Sequence, residues 1–149
     1  MADTDMIKLY SGRILALAAD MPLTTALVSP QATARARSPL CGSTVTVQLR
    51  TEHGRITGYS QEVKACALGQ AAASVVGSAI LGRSRDEVQQ ARDQLNAMLK
   101  SGGPVPEAPF GGLEVLEPAK DYKNRHASIL LSLDATLEAL NLAEQSACA

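Results

Sequence analysis

STVTVQLR (residues 43–50), TEHG (51–54) and RITGYSQEV (55–63) decide the fold. The first run alternates polar and apolar residues and sets Val45, Val47 and Leu49 on one face of a strand. The second is a polar turn ending in glycine, and the third returns as an antiparallel partner, so a hairpin forms from local pairing. Toward the N-terminus, residues 32–37 alternate Ala with Thr or Arg and read as a further strand. Three strands so close in sequence predict a small antiparallel sheet with one apolar face, and that face needs helices to cover it.

The helices are signalled on both sides of the sheet. Residues 4–20 repeat Ile7, Tyr10, Ile14 and Leu17 at three- and four-residue steps, with Asp3 or Thr4 as the N-cap and Pro22 beyond the end. Residues 66–81 are dense in Ala, with Leu68, Val75, Val76 and Ile80, and Gly82 ends the run. Ser84 and Glu87 have the spacing of a capping box, followed by Val88, Ala91, Leu95, Met98 and Leu99 at helical spacing as far as Gly102 and Gly103. Residues 101–112 hold Gly102, Gly103, Pro104, Pro106, Pro109, Gly111 and Gly112, a composition expected to form a connecting loop. From about His126, the residues Ile129, Leu130, Leu133, Leu137 and Leu140 predict a last amphipathic helix, with residues 146–149 as a frayed tail. The fold class is α+β: a three-stranded antiparallel sheet packed against several helices, in one domain spanning 1–149.

Composition narrows the function. The chain has 149 residues, 46% hydrophobic, enough to bury a core built from Ala, Leu, Val and Ile. Tyr10, Tyr59, Phe110 and Tyr122 are the whole aromatic complement, and 14 Lys plus Arg against 15 Asp plus Glu leave a net charge of −1. Stacking platforms and a positive field are both missing, which argues against nucleic acid as a partner. The N-terminus has no basic region leading into a long apolar run, and no stretch is long enough to span a membrane, so a cytoplasmic location is expected.

Three cysteines, Cys41, Cys66 and Cys148, favour thiols or metal ligands over a disulfide framework. Cys41 falls in a Pro- and Gly-punctuated loop that leads into a strand. Cys66 falls where the sheet pattern stops and the Ala-rich helix begins, so its sulfur is expected near free helix N–H groups. A dipole worth about 0.3–1 kcal/mol moves a pKa by less than about one unit. A metal, or Lys64 turned inward, would have to supply the rest of any reactivity. Each thiol taken singly also fits a small buried residue at a helix–sheet contact.

The order Ser38, Pro39, Leu40, Cys41, Gly42, then a strand, then Cys66 followed by Ala67, Leu68, Gly69, Gln70, Ala71, Ala72, Ala73 and Ser74 resembles the IscU, SufU and NifU N-terminal family of iron–sulfur cluster assembly scaffolds. His126, Ala127, Ser128, Ile129 and Leu130 are similar to the stretch of that family that holds a His, its third Cys and the start of the last helix. The helix expected over 84–100 is similar to an insertion of the SufU branch. The resemblance covers nearly the whole chain and implies an IscU/SufU-like fold.

It also implies a site. In that family three cysteines, and an Asp two residues after the first, converge on a nascent cluster or a zinc ion, and one thiol accepts sulfur from a cysteine desulfurase. Cys41 and Cys66 occupy the first two Cys positions and His126 the His position, whereas Ser43 stands in place of the Asp and Ala127 in place of the third Cys. The remaining set of Cys41, Cys66 and His126 comprises ligand types chosen by zinc and iron–sulfur sites. Three ligands leave one position open, which suits a labile metal or a cluster completed by a second copy, since two copies of Cys41 and Cys66 make four thiolates and a homodimer.

The function so implied is a non-enzymatic scaffold or carrier binding iron, zinc or a nascent cluster, with a cysteine desulfurase and apo iron–sulfur proteins as partners. Two other readings stand beside it: a zinc-dependent sulfurtransferase with persulfide on Cys66 or Cys41, and a metal-free relative that regulates or bridges partners. His126 also fits a helix-start residue bonded to backbone, Cys148 a tail thiol, and His53 a solvated turn residue. Leu116, Glu117, Pro118, Ala119 and Lys120 resemble the chaperone-recognition segment of IscU proteins. Arg35, Arg37, Lys120, Lys123 and Arg125 form either a docking patch for an acidic partner or a solvated basic rim.

Overall fold

The computed structural model describes residues 12–39 and 42–148, with side chains through 145. The elements in order are α1 (Gly12–Ala19), β1 (Ala32–Arg37), β2 (Thr44–Glu52), β3 (Arg55–Lys64), α2 (Ala67–Ala79), α3 (Arg85–Ser101), a 3-10 helix (Gly111–Asp121) and α4 (Lys123–Cys148). The part of the expected first helix before Gly12 lies outside the described residues. The sheet is an antiparallel meander in the order β1-β2-β3.

Register follows from the alternation read in the sequence. Ala32 faces Leu49 and then Tyr59, Ala34 faces Val47 and then Gln61, and Ala36 faces Val45 and then Val63, so each rung crosses the sheet on one face. The polar turn is tighter than the four residues expected: β2 continues to Glu52, and only His53 and Gly54, both at positive φ, make the reversal. Two central residues at positive φ match the right-handed twist of the flanking strands. The register shifts between Arg50 and Thr51, where Thr51 pairs with Ile56 after Arg50 has paired with Gly58. The extra residue reverses the alternation and turns Ile56 onto the buried face.

Helix α4 packs on β1 and β2 and also touches α2, α3 and the 3-10 helix. Ile129, Leu130, Leu131, Leu133, Ala135, Ala139, Leu140 and Ala143 are all buried, so this helix fills the centre rather than lying on the surface. Its span is longer than the spacing predicts: it starts at Lys123 and runs through Cys148, where a frayed tail is expected.

The capping box forms as read. Ser84 Oγ accepts from the Glu87 N–H and Glu87 Oε1 accepts from the Ser84 N–H, while Gly102 closes α3 in the left-handed conformation. The loop expected over 101–112 ends instead in the 3-10 helix, which begins at Gly111. Phe110, Leu113, Leu116 and Ala119 are buried at steps of three, which puts them on one edge of a helix with three residues per turn.

Candidate functional site

Cys66 is the N-cap of α2. Its extended backbone turns the chain out of β3, and its carbonyl accepts from the Gln70 N–H at 2.9 Å. Its side chain makes no capping bond. The half-buried Sγ lies 3.5 Å from Ser128 Oγ on α4. Ser128 in turn donates to Ser43 Oγ at 3.2 Å, and both serines are buried. The sulfur is therefore joined through one hydroxyl to the first residue before β2, two positions along from Cys41.

The β1–β2 connection is held by its own backbone. The Ser38 N–H donates to Ser43 O at 2.8 Å and the Gly42 N–H to Ser38 O at 2.9 Å, with Gly42 at a φ of +70° that favours glycine. Cys41 itself lies outside the described residues. Cys148 ends α4, its side chain likewise outside them.

His126 is buried, and its Nε2 donates to Ala119 O at 3.0 Å and Lys120 O at 3.1 Å. Carbonyl oxygens only accept, so Nε2 carries the proton and Nδ1 is the one nitrogen left to act as a ligand. The residue lines a cavity of about 380 Å³ shared with Leu99, Lys100, Lys120 and Lys123. The three lysines are themselves exposed. Lys120 is tied to Glu117 at 2.8 Å, which raises its pKa. Lys64 does not turn inward: it is exposed and pairs with Glu62 at 3.2 Å. His53 is exposed at the hairpin tip.

Among the described residues no group of three His, Cys, Asp or Glu side chains is placed to hold a metal. Hydrogen bonds bring together Cys66, Ser128 and Ser43, while those of His126 run to the backbone of residues 119 and 120. Ser128 and Lys100 are the site residues missed in the sequence. Ser128 lies inside the motif that follows His126, but a small polar residue in a helix carries no periodic signal. Lys100 is distant in sequence and reaches the cavity because α3 packs on the 3-10 helix and α4.

Of the basic residues singled out, Lys120 and Lys123 share the cavity, while Arg35 lies exposed on β1 and donates to Thr46 Oγ1 at 3.1 Å. Leu116 and Ala119 are buried, so the face of the segment 116–120 that points inward is not available to a partner. No helix among the described residues is long and apolar enough to cross a membrane.

No family model and no curated protein matches the chain. Solved structures do. A nitrogen-fixing NifU-like protein (N-terminal) from Brucella abortus is 44% identical, with 95% of this chain and 98% of that one covered at a TM-score of 0.91. A putative iron–sulfur cluster assembly scaffold protein for the SUF system from Fervidobacterium islandicum is 21% identical, covering 90% and 98% at a TM-score of 0.81, a likeness of fold. With 44% of residues identical over nearly the full length of both chains, the chain belongs to the NifU-like N-terminal family.

Proposed function

We propose that this protein is a scaffold-like carrier of iron–sulfur cluster assembly, taking iron, zinc or a nascent cluster as cargo on the thiolates of Cys41 and Cys66. The observation that carries the reading is the position of Cys66: a half-buried sulfur at a helix start, linked through Ser128 to Ser43 at the foot of the Cys41 loop. Two thiolates supply soft ligands for such cargo. His126 would join only through Nδ1, because Nε2 is committed to two carbonyls. Ser43 and Ala127 stand at the family's Asp and third Cys positions, so the protein's own ligands leave coordination open. An open site favours transfer over permanent storage, and a second copy supplying its own Cys41 and Cys66 would close it.

A cysteine desulfurase as sulfur donor and apo iron–sulfur proteins as recipients are the partners this reading assigns. The protein holds and passes cargo; it breaks no substrate bond itself. Metal analysis of protein purified without air, beside Cys41→Ser and Cys66→Ser variants, tests the proposal. Metal or acid-labile sulfide bound to the unaltered chain and lost in both variants is the expected result. Binding that survives either substitution, or a metal-free protein throughout, contradicts it. A persulfide trapped on Cys66 or Cys41 after incubation with a desulfurase, with zinc and no cluster bound, would instead favour zinc-dependent sulfur transfer.

A further inference from the structure

We propose that Ser128 is a positioning residue for the Cys66 sulfur, its hydroxyl turning to that sulfur when it is loaded. The inference rests on the reading above, that Cys66 takes metal cargo.

Three observations carry it. Ser128 is 1% exposed, so its hydroxyl is not there to meet solvent. A buried serine or threonine within a helix commonly donates to the carbonyl four residues back, and Thr136 on the same helix does so, to Ser132 O at 2.7 Å. Ser128 instead lies between Cys66 Sγ at 3.5 Å and Ser43 Oγ at 3.2 Å. Finally, α2 leaves room for this hydroxyl by having no side chain at Gly69. A Cβ there would stand 2.6 Å from Ser128 Oγ.

The proton arrangement follows from what each group can do. In the unloaded chain the Cys66 S–H donates to Ser128 Oγ, and the Ser128 O–H donates to Ser43 Oγ. When a metal ion takes the sulfur, a metal–sulfur bond forms, the S–H bond breaks and the proton leaves to solvent; nothing is oxidised or reduced. The thiolate can then only accept. The Ser128 O–H turns to the sulfur, a rotation of one hydroxyl. A hydrogen bond from outside the ligand set fixes the sulfur's orientation. Donated to a thiolate, it stabilises the charged form and so favours loading, and by drawing charge from the sulfur it raises the energy of sulfur-to-metal charge transfer.

The test uses zinc alone and cobalt alone as probes on the full chain. Affinity is read by competition with a chromophoric chelator, for the unaltered protein, Ser128→Ala, Ser43→Ala and Thr136→Ala. Loss of an outer hydrogen bond to a ligand costs roughly 10–100-fold in metal affinity. Ser128→Ala is expected to bind zinc at least about 10-fold more weakly, at the lower edge of that range. Ser43→Ala should show a smaller loss. Thr136→Ala removes a hydroxyl of equal burial from the same helix without touching Cys66, and should bind as the unaltered chain does. In the cobalt form the sulfur-to-metal charge-transfer band of Ser128→Ala should move to longer wavelength, a change that loosened packing alone does not produce. Equal zinc affinity and an unmoved cobalt band in Ser128→Ala overturn this inference alone. Equal losses in Ser128→Ala and Thr136→Ala also overturn it, assigning the effect to stability. No zinc or cobalt binding by the unaltered chain overturns this inference, and no binding of iron with sulfide as well overturns the proposed function with it.

Discussion

Gly69→Ala is the substitution that most directly probes the packing beneath the site. A Cβ at this position would lie 2.6 Å from Ser128 Oγ, 2.9 Å from Ala65 Cβ and 3.1 Å from Ser128 O. Comfortable separation between such atoms is about 3.5–4 Å. The hydroxyl could swing away, but the Ala65 Cβ and the Ser128 carbonyl are fixed to backbone, so α2 must lift from α4. Overpacking of this kind costs about 1–3 kcal/mol, and with two immovable contacts the upper end applies. Against this, alanine in a helix interior is favoured over glycine by about 1 kcal/mol. The net loss is about 2 kcal/mol, which for a chain of this length lowers Tm by about 4–8 °C. Thermal unfolding followed by circular dichroism measures it. Gly12→Ala, where nothing lies within 4 Å of the new Cβ, serves as the control and should shift Tm little. In Gly69→Ala/Ser128→Ala the nearest of the three contacts is gone, so the double variant should be more stable than the sum of the single losses. A Tm equal to or above that of the unaltered protein for Gly69→Ala would refute the close approach of α2 and α4 and, with it, the setting of Ser128 against Cys66.

Two further predictions concern pH. Glu87 has its pKa lowered chiefly by the Ser84 N–H and also by Arg55 and Arg83, so its stabilisation is complete above about 4.5 and is lost as pH falls through the lower folded value. Glu87→Gln should cost about 1 kcal/mol at neutral pH, a figure kept small because the carboxylate is partly exposed, and urea titrations should show the difference vanish in strong acid. Tyr59 is buried with its hydroxyl 2.8 Å from Thr136 Oγ1, and burial raises its phenol above the ordinary value of 10.0. The advantage of the neutral phenol is whole below that pH and declines as pH rises above it. Tyr59→Phe should therefore be weaker by about 1 kcal/mol at neutral pH from the lost hydrogen bond, yet lose less stability than the unaltered chain when both are titrated above pH 10.

What the sequence discloses is what periodicity and short spacing encode. Val45, Val47 and Leu49 gave the buried face of β2 directly, and the interval from Ser84 to Glu87 placed the start of α3 correctly. The bulge that turns Ile56 inward is a matter of backbone pairing, with no mark in the alternation. The 3-10 helix was hidden behind Gly and Pro residues whose composition argues for a loop, and its period of three in Leu113, Leu116 and Ala119 fits neither the helical nor the strand template. At the site, the family motif pointed to Cys66 and His126 as chemistry-bearing residues. It did not disclose that the Nε2 of His126 is taken by carbonyls of the 3-10 helix, because those partners come from backbone and not from side-chain type. Ser128 was equally unmarked: its importance lies in which sulfur it faces, a tertiary fact.

The central claim is that the sulfurs of Cys41 and Cys66 together hold cargo. Reconstitution of the purified chain with iron and sulfide under anaerobic conditions, followed by visible absorption, tests it most directly. Sulfur-to-iron charge-transfer bands in the unaltered protein and in Cys148→Ser, absent from Cys41→Ser and from Cys66→Ser, are the predicted result. A colourless unaltered protein, or a spectrum that persists when either thiol is replaced, would contradict it.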